Sequence, residues 1–326
     1  MSQHSEFQQR LRTELDEAGF VLSTAEWEAW FSGVKDVGAR EYERMRDSLG
    51  SDWEDVTSHL RGVRREEDHH GQTGAGFVTA KYLATPLDIS PENRERLGRL
   101  GANMIYHVAH FDWLVDDGYD HRRVLSKPGQ LVAMTGVRPL TSLYDYLASG
   151  LDRYFTRILA DYYHELTALP HAGDRPEVRQ KHDEMVEKMY RAERASVTGI
   201  DTAETNRITS SYPFVVVGLP AWLATPTFSA DRYRAHLDWL EEFGRLLWFM
   251  DDAADIHEDR REGFYNEVTA RRKRARDAAV IDEIVSCAEQ VRSGWSSRVD
   301  ESACSDLVGN TLAARVTKWM GGPTAD

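Results

Sequence analysis

Apolar side chains recur at three- and four-residue intervals along almost the whole chain, and runs alternating every second residue are essentially missing. Such a pattern predicts an all-α fold. Helices are expected over 6–20 and 24–48, the second carrying Trp27, Trp30 and Phe31 at helical spacing. The stretch 68–76, Asp-His-His-Gly-Gln-Thr-Gly-Ala-Gly, reads as a break. Ser90 and Pro91 read as the cap and first position of a long helix ending near 117. Further helices are expected over 140–169, 177–198, 201–224, 230–261, 275–293 and 300–320, with Gly218 and Pro220 interrupting the third of these. No internal repeat or low-complexity linker divides the chain. Residues 1–320 are therefore expected to form one α-helical domain, with 321–326 a frayed tail.

The chain carries 54 acidic against 40 basic residues, a formal net charge of −14. That balance argues against nucleic acid or an anionic membrane as a general partner. It also makes an anionic ligand puzzling, unless metal cations or a few placed basic groups mediate its binding. Cys287 and Cys304 are the two cysteines, which excludes a disulfide framework and a thiolate zinc site. The N-terminus lacks the apolar core of a signal peptide, and no apolar run approaches the roughly 18 to 20 residues that span a bilayer. A cytoplasmic protein is the default expectation.

Two aspartate clusters carry the chemistry. Asp116, Asp117 and Asp120 follow the apolar stretch Ala109–Val115; Asp251, Asp252, Asp255 and Asp259 follow the apolar stretch Leu240–Met250. Asp251, Asp255 and Asp259 stand four apart, so a helix stacks them on one face, where like charges repel unless a cation joins them. Magnesium suits such a site, because it prefers carboxylate oxygens and completes its shell with water and substrate phosphates. One acidic run alone usually marks a solvated helix face, and Asp-Asp-Gly a turn. Two long apolar helices that each run into aspartates point instead to a metal site built from facing helices.

At this point the sequence resembles the class I terpenoid synthases. Phe111-Asp112-Trp113-Leu114-Val115-Asp116-Asp117-Gly118-Tyr119-Asp120 resembles that superfamily's first aspartate-rich motif, DDxxD. Asp251 to Asp259 fits the frame of the second cyclase motif, (N/D)Dxx(S/T)xxxE, with Asp in place of Ser/Thr at 255 and of Glu at 259. Arg207, followed by Ile208-Thr209-Ser210-Ser211-Tyr212-Pro213-Phe214, resembles the diphosphate-sensing arginine and its small-residue helix break. An arginine is apt there, since its planar fork donates two parallel hydrogen bonds to phosphate oxygens. The usual C-terminal Arg-Tyr pair is not evident; Arg315 is the nearest basic residue and no tyrosine follows it. Asp255-Ile256-His257-Glu258-Asp259 also resembles a region of squalene and phytoene synthases, and paired DDxxD motifs are shared with chain-elongating prenyltransferases.

The resemblance implies a single helical bundle around a central active-site cavity. It implies Mg2+ held by Asp116, Asp117, Asp120, Asp251, Asp252, Asp255 and Asp259 against a prenyl diphosphate substrate, with Asp116, Asp255 and Arg207 as catalytic residues. Arg207, Phe111, Trp113, Tyr212, Phe214 and Trp248 would contact the substrate, the aromatic faces shielding an allylic cation from water. The expected reaction is ionisation and cyclisation of a C20, in preference to a C15, prenyl diphosphate, because the motif departures and missing Arg-Tyr pair sit poorly with common sesquiterpene cyclases. A homodimer is left open.

Two alternatives remain. One is a prenyl-coupling enzyme of the same fold. The other is a carboxylate-bridged di-iron bundle, which needs Glu-x-x-His on two helices; Glu66-Glu67-Asp68-His69-His70 offers that spacing, and no second copy is apparent. Gly71–Gly76 is no dinucleotide fingerprint, since its spacing is wrong and no strand precedes it.

Overall fold

The computed structural model describes residues 6–50, 53, 66–116, 124–127, 130, 150–196, 198–200, 202–299 and 305–323. These residues are helical and contain no strand, so the all-α expectation holds. No helix among them is long and apolar enough to cross a membrane. Two compact units emerge. The first comprises Met1–Phe31, Lys188–Val215 and Ser229–Asp326; the second comprises Ser32–Glu187 and Val216–Phe228.

The second unit corrects the expected break at 68–76. That stretch lies inside the helix Glu66–Ala84, which packs against Pro91–Asp116. Glycine at mid-helix costs about 1 kcal/mol relative to alanine, and here close backbone packing offsets it. Gly74 and Gly76 are two residues apart, about 200° around the helix, so they face opposite ways. A Cβ on Gly74 would lie 1.9 Å from the Val34 carbonyl oxygen of the helix Thr24–Leu49, and one on Gly76 would lie 2.4 Å from the Gly101 carbonyl oxygen. The composition that looks like a turn is a slot for two neighbouring backbones. Pro91 opens its helix as expected, with Ser90 Oγ accepting from Asn93 N at 3.3 Å. The helix Gly150–Thr167 completes the core around Tyr154, Phe155, Ile158 and Tyr162.

In the first unit, the helix Ala230–Ala254 is the spine. It packs on Asp277–Ser296 and on Thr311–Trp319, while Glu6–Glu17 covers Asp277–Ser296. Leu240, Phe243, Leu246 and Leu247 are buried along the spine, and Leu11, Leu15, Ile281 and Ile284 are buried on the other two helices. The helix Ala203–Gly218 ends at Gly218 and the chain resumes helix at Ala221–Ala224, the interruption expected at Gly218 and Pro220. Residues 140–149 and 300–304, parts of two expected helices, lie outside the described residues, as do 324–326 of the tail.

Candidate functional site

The acidic end of the spine is not one uninterrupted helix. Ala230–Ala254 stops at Asp255, whose backbone (φ −99°, ψ 11°) steps out of helical geometry, and Ile256–Glu262 follows directly. Gln8 Nε2 donates to both Ala253 O and Ala254 O at 2.9 Å, satisfying two carbonyls at the step. The i to i−4 bonds survive across it: Asp255 N to Asp251 O is 3.0 Å and Asp259 N to Asp255 O is 2.9 Å. Asp251, Asp255 and Asp259 therefore occupy successive turns, as their spacing predicts. Gly263 (φ 82°) ends the second helix in the left-handed region, where glycine bears no Cβ penalty.

Each acid has its own surroundings. Asp251 Oδ1 accepts from Trp319 Nε1 at 3.0 Å and Oδ2 from Ser210 Oγ at 3.2 Å. Burial raises its pKa, and those two bonds moderate the rise. Asp252 is buried and turns toward the helix Glu267–Arg272, where its Oδ2 accepts from Glu267 N at 2.5 Å. Burial, then the charges of Asp251 and Asp259, push it up to about 8. Asp259 Oδ2 accepts from Asn266 Nδ2 at 2.7 Å.

The Asp255 carboxylate makes no side-chain hydrogen bond or ion pair among the described residues, and the residue is exposed. The protein crowding around it, ahead of the charges of Asp251, Asp259 and Glu258, still lifts it to about 7. Lys318, also exposed, shows the mirror image, lowered to about 8 by the surrounding protein and by Arg315. Arg315 is 3% exposed, and burial alone lowers it to about 10.

The helix Ala203–Gly218 lies against this acidic turn. Ser210 reaches Asp251, and Asn206 Oδ1 accepts from Trp248 Nε1 at 2.5 Å. Arg207 lies between them in sequence; its guanidinium is 3.7 Å from Glu204 and 5.5 Å from the Tyr212 ring centroid. Phe214 packs edge-on against Phe243 and Trp319, with the Arg315 guanidinium 5.2 Å from its ring centroid. One unit thus brings together Asp251, Asp255, Asp259, Arg207, Tyr212, Phe214 and Trp248, with Asp252 turned aside.

Asp116 ends the helix Pro91–Asp116 in the second unit, while Asp117 and Asp120 lie outside the described residues. On the same helix, Phe111 is buried against Phe155, and Trp113 contacts the rings of His69 and His110. His69 Nδ1 and His110 Nε2 are 2.8 Å apart, and His110 Nδ1 donates to Tyr106 O at 2.8 Å. His69, three residues after Glu66 in the segment 66–70, is thus paired with another imidazole.

Gln8, Asn206, Ser210, Asn266, Lys318 and Trp319 were not singled out by sequence reasoning. The Arg315-x-x-Lys318-Trp319 spacing, which gathers two cations and an indole on adjacent turns of a terminal helix, was the legible signal for two of them.

Among the described residues, no group of three or more His, Cys, Asp or Glu side chains could by itself hold a metal ion. Magnesium needs no such cage, since one or two carboxylates plus substrate phosphates and water complete its shell. The donor set fits that mode: hard oxygens, an Asp255 carboxylate without a partner among the described residues, and crowded like charges that a cation would relieve. Neither a family model nor a curated protein matches the chain.

Proposed function

We propose that the protein is a magnesium-dependent class I terpenoid synthase that ionises an allylic prenyl diphosphate and cyclises or rearranges the hydrocarbon. The observation that carries this reading is the Ser210–Asp251 bond, which lays the Arg207 helix against the acidic turn. A carboxylate face and an arginine on adjacent elements is what a metal–diphosphate pair requires.

Bound magnesium would supply Lewis-acid neutralisation of the departing diphosphate. Asp251 and Asp255 would hold one such ion in the first unit, and Asp116 would hold another on its own motif. Arg207 would donate charge-assisted hydrogen bonds to the leaving group, on release from its exposed contact with Glu204. Tyr212 and Phe214 would offer ring faces to the cation left behind and keep water from it. The departures at 255 and 259 support a C20 substrate over a C15 one.

Incubation with geranyl, farnesyl or geranylgeranyl diphosphate plus Mg2+ tests the reading. A hydrocarbon or terpene alcohol in the organic extract supports it. A longer prenyl diphosphate, formed only when isopentenyl diphosphate is added, would replace cyclisation with chain coupling. Failure to release inorganic diphosphate from any of the three would reject the reading.

A further inference from the structure

We infer that Trp319 is the positioning residue of Asp251, an assignment that rests on the magnesium–diphosphate reading of this site. A carboxylate offers about four lone-pair sites. Trp319 Nε1 occupies one on Oδ1 at 3.0 Å and Ser210 Oγ one on Oδ2 at 3.2 Å, so one donor from each of two helices sets the plane of the group. The remaining lone pairs stay available to a cation.

Both donors are neutral, and this decides their role. An arginine or lysine in contact would cancel the charge that a metal needs, whereas an indole N–H and a hydroxyl fix direction and leave the charge in place. Lys318 acts on Asp251 only through space. The indole is itself held. Phe214 meets it at 6.3 Å and 76°, and the cations of Arg315 and Lys318 lie 6.0 and 5.6 Å from its ring. Its helix is anchored further by Thr317 Oγ1, which accepts from Leu22 N at 2.8 Å, and by Arg12, which donates to Met320 O. Trp319 therefore transmits a fixed orientation to Asp251.

Manganese with inorganic pyrophosphate is the probe, and calorimetry on the full chain is the readout. Removing an outer hydrogen bond to a metal ligand typically weakens metal binding about 10- to 100-fold. That loss is expected for Trp319→Phe, which keeps a ring and removes the N–H. Trp319→His, which keeps a ring N–H, should recover most of the binding and provides the comparison if the Phe variant does not fold. Parent-like binding by the Phe variant would overturn the assignment, and so would equal loss in the Phe and His variants. Asp255→Asn separates the two levels. If it abolishes binding while Trp319→Phe does not, only the role of Trp319 falls; if the parent itself binds no manganese, the site reading and this assignment fall together.

Discussion

Asn266 holds Asp259: its Nδ2 donates to Asp259 Oδ2 at 2.7 Å and also to Asp252 O at 2.7 Å. Its Oδ1 meanwhile accepts from Thr269 N at 2.8 Å, capping the helix Glu267–Arg272. One buried amide thus ends one helix, starts another and orients an acid of the second cluster. Asn266→Ala should lower stability by about 1–2 kcal/mol, the usual scale for a lost N-cap, read from chemical denaturation. It should also weaken manganese binding, which Asn266→Asp, keeping the cap but repelling Asp259, would not restore.

Asp255→Asn should lower turnover by at least about 100-fold, the scale on which a lost electrostatic contact to a developing charge is felt. The same variant removes one member of two like-charge pairs four residues apart, each unfavourable by a few tenths of a kcal/mol. The metal-free variant should therefore melt slightly higher than the parent by scanning fluorimetry, with helical circular dichroism unchanged. Asp116→Asn should show the same loss of turnover. Full activity in both variants would end the metal hypothesis.

His107 is 1% exposed, its Nε2 donating to Phe155 O at 3.2 Å, and burial lowers its pKa to about 3. A histidine depressed in the folded state leaves stability intact above its unfolded pKa of about 6.5. As pH falls below that value the unfolded chain takes up a proton that the folded one refuses, and the loss levels off near pH 3. The slope is about 1.4 kcal/mol per pH unit for one such group, so over this window the total is on the order of 5 kcal/mol. His107→Gln, which retains a donor for Phe155 O, should flatten this part of the pH–stability curve. Parallel curves for the two proteins would refute the attribution.

Gly74→Ala should be strongly destabilising, because its Cβ would lie 1.9 Å from the Val34 carbonyl oxygen and only backbone movement can relieve that. Overpacking costs typically about 1–3 kcal/mol, and a clash with backbone belongs at or above the top of that range. Gly71→Ala, a substitution into open space on the same helix, is the control and should be neutral or mildly stabilising.

Periodicity made most of the helices legible, from the 230–261 segment to the interruption at Gly218 and Pro220. The glycine-rich stretch 68–76 misled, because composition records the absence of a side chain and not the neighbouring backbone that fills the space. At the site, four-residue spacing placed Asp251, Asp255 and Asp259 on successive turns, but Asp252 turns toward Glu267. That difference comes from a backbone N–H fifteen residues later, which no local pattern reports. Gln8 escaped for the same reason, since it acts on Ala253 across 245 residues of chain; Trp319 lies in a readable local spacing, but its partner Asp251 is 68 residues away. Local spacing is written in the sequence, whereas long-range partners appear only once the chain has folded.

The bond from Gln8 to the end of the acidic helix has a kinetic consequence. The unit containing it is assembled from three separated stretches of chain, 1–31, 188–215 and 229–326. Closing long loops costs entropy before any contact repays it, and non-local contacts slow folding. The glycine-slotted pair Glu66–Ala84 and Pro91–Asp116, joined by six residues, can form early. The acidic turn must wait for both ends of the chain to meet, so recovery of metal binding should be the slowest phase when the denatured protein is returned to water.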